Sequence, residues 1–215
     1  MSELKAYISV SLDGYVAGPN PTLEEPLGEG GEQLHDWLVS TREWRESHGK
    51  EGGESNVDSK VAAELEGGFD ASIMGRRMFS GGSGPWEDDP MANGWWGDEP
   101  PFHHPVFVLT HHEREPLELG ETTFHFVTDG PEAALDQARE AAGDGNVQVA
   151  GGGQAVQQYL RLGLLQELHV SVAPVLLGGG APLLADLGDR PPNLERVAAV
   201  ESPTGVVHLR YRVKS

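Results

Sequence analysis

Apolar and polar residues alternate strictly at the start of the chain. Leu4, Ala6, Ile8, Val10 and Leu12 fall on one side, and Lys5, Tyr7, Ser9 and Ser11 on the other. That period of two predicts a half-buried strand over 4–12, turned by Asp13-Gly14. After a Pro/Gly/Glu loop at 18–31 the period changes. Leu34, Trp37, Leu38 and Thr41 or Trp44 recur at helical spacing, predicting a helix over 33–45 that Gly49 ends. A short helix over 57–66 stops at Gly67-Gly68, and a buried strand covers 70–74. Residues 81–105 show no period and form a long loop holding Trp86, Trp95, Trp96, Phe102, His103 and His104. The continuous apolar run 106–110 reads as a strand buried on both faces. A short strand at 124–127 precedes a helix opened by Asp129-Gly130-Pro131-Glu132. Val147–Ala150 is another buried strand, and Gly151-Gly152-Gly153 follows it. Ala155, Val156, Tyr159 and Leu160 then mark a helix that Gly163 stops. Two alternating strands close the chain, over 168–172 and 206–213; Pro174 marks the first as an edge strand or as ending irregularly.

Strands and helices thus alternate through the middle, and strands alone finish the chain. The order predicts one α/β domain spanning 1–215. Its sheet is mixed and mainly parallel, with an antiparallel C-terminal edge and helices on both faces. A length of 215 residues is enough for one core. No window is long and apolar enough to span a membrane, and the first residues begin a strand rather than a signal peptide, so a cytoplasmic location is expected. Cysteine is absent, which excludes disulfides and thiol catalysis. A net charge of −19 repels nucleic acid and anionic membranes, leaving a small molecule as the expected partner. An anionic ligand needs a local cluster of donors.

Such donors gather at three strand ends. Gly151–Gly153, continuing into Gln154 and Ala155, is a glycine turn feeding a helix N-terminus, where unpaired N–H groups and the helix dipole favour phosphate. It is not the common dinucleotide fingerprint, because Val156 stands where a third glycine belongs. Gly75-Arg76-Arg77-Met78 adds two guanidinium forks, and Thr110-His111 adds a hydroxyl and an imidazole. Ligands of such sheets bind outside the carboxyl ends of the strands. Asp13 is either turn chemistry or a carboxylate facing a pocket. His35 and Asp36 either line a pocket or lie in solvent. The tryptophans are either packed against the body or offer flat surface to a heterocycle. A zinc site at His103, His104, His111 and His112 is disfavoured, since neighbours on a strand face opposite ways.

Five stretches carry a family resemblance: S-L-D-G-Y-V-A-G at 11–18, M-G-R-R-M-F at 74–79, V-F-V-L-T-H-H at 106–112, V-A-G-G-G at 149–153 and L-H-V-S-V-A-P-V-L-L-G-G-G at 168–180. In that order the chain resembles the dihydrofolate reductase-like superfamily. The nearest likeness is to the reductase domain of bifunctional riboflavin-biosynthesis deaminase-reductases and its stand-alone relatives. The resemblance implies NADPH, with Gly151–Gly153 on the pyrophosphate and Arg76, Arg77, Thr110 and His111 around the phosphates. It implies that Ser11, Asp13, Val16 and Ala17 lie near the nicotinamide and substrate, and that the protein is a homodimer. The expected reaction is hydride transfer to a C=N or C=O carbon of a pterin-like or ribosylaminopyrimidine substrate. Asp13 is the first candidate to orient substrate or relay a proton, Asp36 the second, and Trp37 a substrate contact. A non-catalytic flavin- or pterin-binding protein of the same fold is the alternative. Met78 departs from the family's usual threonine, and the Trp-x-x-Pro-x-Asp/Glu motif of true dihydrofolate reductases is missing. Without cysteine, the chain also lacks the deaminase's Pro-Cys-x-x-Cys.

Overall fold

The computed structural model describes residues 2–185 and 187–214. Nine strands form one sheet in the order β10-β11-β8-β1-β7-β3-β4-β6-β5. They are β1 (Leu4–Ser11), β3 (Ala71–Gly75), β4 (Val106–Leu109), β5 (Leu117–Leu119), β6 (Thr122–Val127), β7 (Val147–Gly151), β8 (Glu167–Ala173), β10 (Asn193–Glu201) and β11 (Val207–Lys214). The centre is parallel: β8, β1, β7, β3, β4 and β6 run the same way. Both edges are antiparallel, β10–β11 at one and β5 at the other. A two-stranded ribbon, β2 (Tyr15–Ala17) with β9 (Ala181–Pro182), stands apart from the main sheet.

Alternation sends the two faces to different layers. On one face Leu4, Ala6, Ile73 and Val149 pack against α5 (Pro131–Ala142) and α6 (Gly153–Arg161). Ala155, Val156, Tyr159 and Leu160 are the inward side of α6. The Tyr159 hydroxyl donates to Pro131 O at 2.7 Å, so its one polar atom is satisfied while the ring is buried. The other face carries two separate apolar clusters. One joins Leu34 of the 3₁₀ turn Gly31–His35 to Trp37 and Leu38 of α1 (Asp36–Val39) and Ala62 of α3 (Val57–Gly67). The second joins Met74, Val106, Val108 and Phe124 to Phe79 of α4 (Arg76–Ser80) and to Trp86, Trp96 and Phe102 of the long loop. A cleft separates the two clusters, floored by the sheet.

The expected helix over 33–45 is broken. A 3₁₀ turn covers Gly31–His35, α1 follows, and α2 is Arg42–Ser47. Thr41 interrupts the run: its extended backbone caps α2, with its hydroxyl accepting from Trp44 N and donating to Leu38 O at 2.7 Å. β8 is not an edge strand, since β1 and β11 flank it; Pro174 lies just beyond its end. The loop at 81–105 is ordered against the body through its tryptophans. Among the described residues no helix is long and apolar enough to cross a membrane.

Candidate active site

Three strand ends meet where the sequence places donors. Gly75 closes β3 beside the glycine turn, and a Cβ on it would lie 3.9 Å from Gly152 N. Gly153 has no room for a side chain: a Cβ there would stand 2.8 Å from Pro182 O and 3.2 Å from Val16 Cγ2. Glycine at 153 therefore lets the β2–β9 ribbon close over the start of α6, bringing Val16 and Ala17 to the turn. Gly152 is different, since nothing lies within 4 Å of where its Cβ would be. Ala155 N and Val156 N donate to Gly152 O at 3.0 and 3.3 Å, so the N–H groups of Gly153 and Gln154 are the ones that have no helical carbonyl to reach.

The two arginines part company. Arg76 is turned inward at 7 % exposure, donating to Ser80 Oγ and, at 2.5 Å, to Asp89 Oδ2. Its guanidinium carbon lies 3.6 Å from the Trp86 ring centroid. Burial pushes the Asp89 carboxyl up, but the bonds from Ser80 and Arg76 outweigh it and hold it below the usual range. Of the two arginines expected to grip phosphate, Arg76 is held by the loop, and Arg77 is exposed. His111 is exposed as well, while Thr110 is buried and accepts from His112 N at 3.2 Å. Met78 lies against the turn, its sulfur 3.1 Å from a Cβ built on Gly151. Gln154 is exposed beside the open N–H groups, and Ala155 points into the core.

Asp13 does not face a ring site. Its Oδ1 accepts from Ser11 Oγ at 2.6 Å and from Leu177 N at 3.1 Å, and its Oδ2 from Gly178 N at 2.7 Å. The Ser11 hydroxyl, with the Gly178 and Leu177 N–H groups, holds this exposed carboxyl below its ordinary value. A carboxyl made more acidic is a poor proton donor at neutral pH. Asp13 thus clasps the turn after β1 to the loop after β8, with Ser11 inside the clasp. Asp36 is also corrected: it is exposed, and the cleft is lined by its neighbours His35 and Trp37.

The cleft itself has aromatic walls and a polar floor. Trp37, Trp44, Trp96, Phe102, His35, His48 and His104 form the walls. Met78, Ile8 and Ala150 line the end nearest the glycine turn. Ser9, Gln148 and Ser171 form the floor. Trp37 Nε1 donates to Ser9 Oγ at 3.0 Å. Ser72 Oγ bonds His104 Nε2 at 2.7 Å and donates to Gln148 Oε1 at 3.3 Å. Burial pushes His35 and His104 below the ordinary imidazole value, so both are neutral donors or acceptors at neutral pH. At the mouth, burial pushes Glu66 up, and Ser47 and His48 partly offset it. Trp96 Nε1 is buried without a partner among the described residues. An unpaired indole donor in a cleft wall fits a ligand carrying acceptors.

The sequence reading missed the floor. Tyr7, Ser9 and Ser11, and likewise His169 and Ser171, are the polar side of strands whose apolar side faces α5 and α6. The signal was present in the alternation, and in the small hydroxyls that two neighbouring strands repeat there.

Known proteins resemble this chain in sequence or in fold. The family model described as the RibD C-terminal domain matches residues 4–208. An uncharacterized protein of Bacillus subtilis (strain 168), YyaP, is 30% identical over 86 residues, which is 40% of this chain and 45% of that protein. The match therefore spans less than half the length of that relative. A solved structure from Shewanella sp. PV-4, provisionally described as a riboflavin biosynthesis protein, shares 24% identity. It superposes with a TM-score of 0.66 over 99% of both chains. A dihydrofolate reductase from Enterococcus faecalis, solved with NADP(H), shares 13% identity and a TM-score of 0.53 over 99% of this chain and 97% of its own.

Proposed function

Since the chain belongs to the RibD C-terminal domain family of reductases, we propose that it is an NADPH-dependent reductase that reduces a C=N or C=O bond of a small planar heterocycle. The observation carrying this reading is the continuity of the cleft. One end of its lining is Met78 and Ile8, which lie 3.1 and 3.5 Å from a Cβ built on Gly151, and from there it runs past Ala150 and over Ser9 and Ser171 between aromatic walls. A dinucleotide and a flat substrate need such a run: a phosphate site at one end and room for two stacked rings at the other.

The residues present fit the cofactor. The open face of Gly152 and the first N–H groups of α6 would take the pyrophosphate. Arg77 and His111, exposed at adjoining strand ends, would take the further phosphate. When bound, the nicotinamide supplies the hydride. The protein aligns the rings and excludes water with Trp37, Trp96 and Phe102. A pterin-like compound or a ribosylaminopyrimidine has the flat shape and polar edge that the walls and floor match. The dihydrofolate reductase from Enterococcus faecalis, similar in fold, was solved with NADP(H), which accords with this choice.

Fluorescence titration tests it, because Trp37 and Trp96 line the cleft. NADPH should quench tryptophan emission with an affinity about tenfold or more above NADH, the scale of one charge-assisted phosphate contact. Gly152→Val should fold, since nothing stands where its Cβ goes, yet lose NADPH binding. Equal affinity for NADPH and NADH, or unchanged NADPH affinity in folded Gly152→Val, removes the turn and its phosphate groups from the cofactor site.

A further inference from the structure

Behind the cleft floor lies a chain of hydrogen bonds that the reading above does not use. Ser9, Ser171 and His208 form one rung across β1, β8 and β11: Ser9 is in register with Ser171, and Ser171 with His208. All three side chains are nearly buried. Ser171 Oγ lies 2.9 Å from His208 Nδ1, and His208 Nε2 lies 2.6 Å from Asp58 Oδ1. Asp58, on α3, is fully buried. Its other oxygen accepts from Ser202 Oγ at 2.6 Å and Thr204 Oγ1 at 2.9 Å, both in the turn between β10 and β11. Trp37 sets its ring edge against His208, with centroids 4.9 Å apart. Farther along this sheet face Arg210 is paired with Glu64, and His169 Nε2 lies 3.0 Å from Glu167 Oε2. One end of the chain of bonds is thus a carboxylate with three donors, and the other a serine hydroxyl in the cleft.

We propose that Ser171 delivers the proton that accompanies hydride transfer, and that His208 and Asp58 supply and aim it. The proposal rests on the reductase reading. The Asp58 carboxylate fixes the Nε2–H of His208, so only Nδ1 exchanges a proton with Ser171. With His208 doubly protonated, Nδ1–H points at Ser171 Oγ, and the serine proton is free to face the cleft. A bound reduced nicotinamide would supply a hydride to the substrate carbon, and the C=N or C=O π pair would move to the heteroatom. That heteroatom takes the Ser171 proton, Ser171 Oγ takes the Nδ1 proton, and His208 is left neutral against Asp58. The substrate gains one hydride and one proton. Neither Asp13 nor Asp36 reaches the cleft, so this chain of bonds fills a role they leave open.

The test uses Ser171→Ala, Ser171→Thr, His208→Gln and the Ser171→Ala/His208→Gln double variant. Each is assayed by NADPH oxidation with dihydrofolate and with the phosphoribosylaminouracil. Ser171→Ala should lower kcat about 10²-fold, the usual scale of general acid help, with NADPH affinity and KM nearly unchanged. Ser171→Thr keeps the hydroxyl and should keep most of the rate. His208→Gln retains an N–H for Asp58 but loses Nδ1, so it should fall as Ser171→Ala does. The double variant should be no worse than either single one. Wild-type kcat in Ser171→Ala or His208→Gln overturns the proposal. If the wild-type protein oxidises NADPH with neither compound, the reductase reading fails for those substrates, and nitrogen magnetic resonance of the His208 ring then decides. The relay requires Nε2 protonated, and an Nδ1 signal that moves in Ser171→Ala while Nε2 does not. A bare Nε2, or an Nδ1 indifferent to Ser171, overturns it.

Discussion

Single positions decide which residues reach the cleft. His35 and Trp37 line it and Asp36 between them does not, because Asp36 opens α1 on its exposed side. A helical stripe drawn over 33–45 could not resolve this, since the chain changes from a 3₁₀ turn to α-helix at that residue. Asp13 shows the same limit. Asp-Gly after a strand fits both a turn and a pocket carboxylate, and only the loop after β8, 164 residues away in sequence, separates the readings. Asp13→Asn should leave kcat within about twofold, far below the ~10²-fold loss expected of a catalytic acid. It should lower the thermal midpoint, because an amide NH₂ would face a backbone N–H donor. The carboxyl is held low in the folded state, so its contribution is present above the unfolded value near 4 and is lost as pH falls through the folded one. The difference in midpoint between wild type and Asp13→Asn should therefore shrink as pH falls below about 4; a gap that does not narrow as acid is added contradicts the clasp.

At the scale of elements, most of the central sheet was legible. β1, β3, β4, β7 and β8 are apolar runs or clean alternations, and β3 and β7 end in glycines beside the candidate site. β10 was not legible, for two physical reasons. It is an edge strand exposed along nearly its whole length, and its register shifts between Arg196 and Ala198, which breaks the period of two. β2 and β9, of three and two residues, are too short to carry a pattern. The loop at 81–105 was legible as a segment holding three tryptophans, with packing against the body and a flat surface for a ligand both open, but its anchor was not. That anchor is Trp86, lying between the guanidinium groups of Arg76 and Arg114 at 3.6 and 5.0 Å from its centroid, with Nε1 donating to His112 O at 2.9 Å. Asp89 completes it by neutralising Arg76; both side chains are less than a tenth exposed. Asp89→Ala leaves a buried guanidinium without its partner and should cost about 3 kcal/mol in chemical denaturation. Trp86→Ala should loosen the same loop and raise proteolytic cutting within 81–105. Cutting no faster than wild type in both variants places the anchor elsewhere.

For the whole molecule, charge and burial pull stability in opposite directions as pH changes. The net charge of −19 works against compactness, and acid relieves it by protonating exposed groups. The buried histidines act the other way. Burial holds His35, His104, His125 and His169 below their ordinary value, so the folded state resists a proton that the unfolded chain accepts near pH 6.5. Between that value and the lower folded ones the unfolded chain binds more protons, and stability falls as pH falls. The carboxyls of Asp13, Asp89 and Glu167, all held low, add a second loss below about pH 4. Salt separates the two influences, because it screens surface repulsion within a Debye length of about 8 Å at physiological ionic strength and leaves desolvation untouched. Raising salt at pH 7.5 should raise the thermal midpoint. Lowering pH from 7.5 to 5 at high salt should lower it, by about 2–4 °C for each kcal/mol lost in a chain of this size. His35→Gln, which cannot take up a proton, should flatten the part of that decline between pH 6.5 and 5. A midpoint that rises with acid at high salt would mean that these rings are not held neutral by burial.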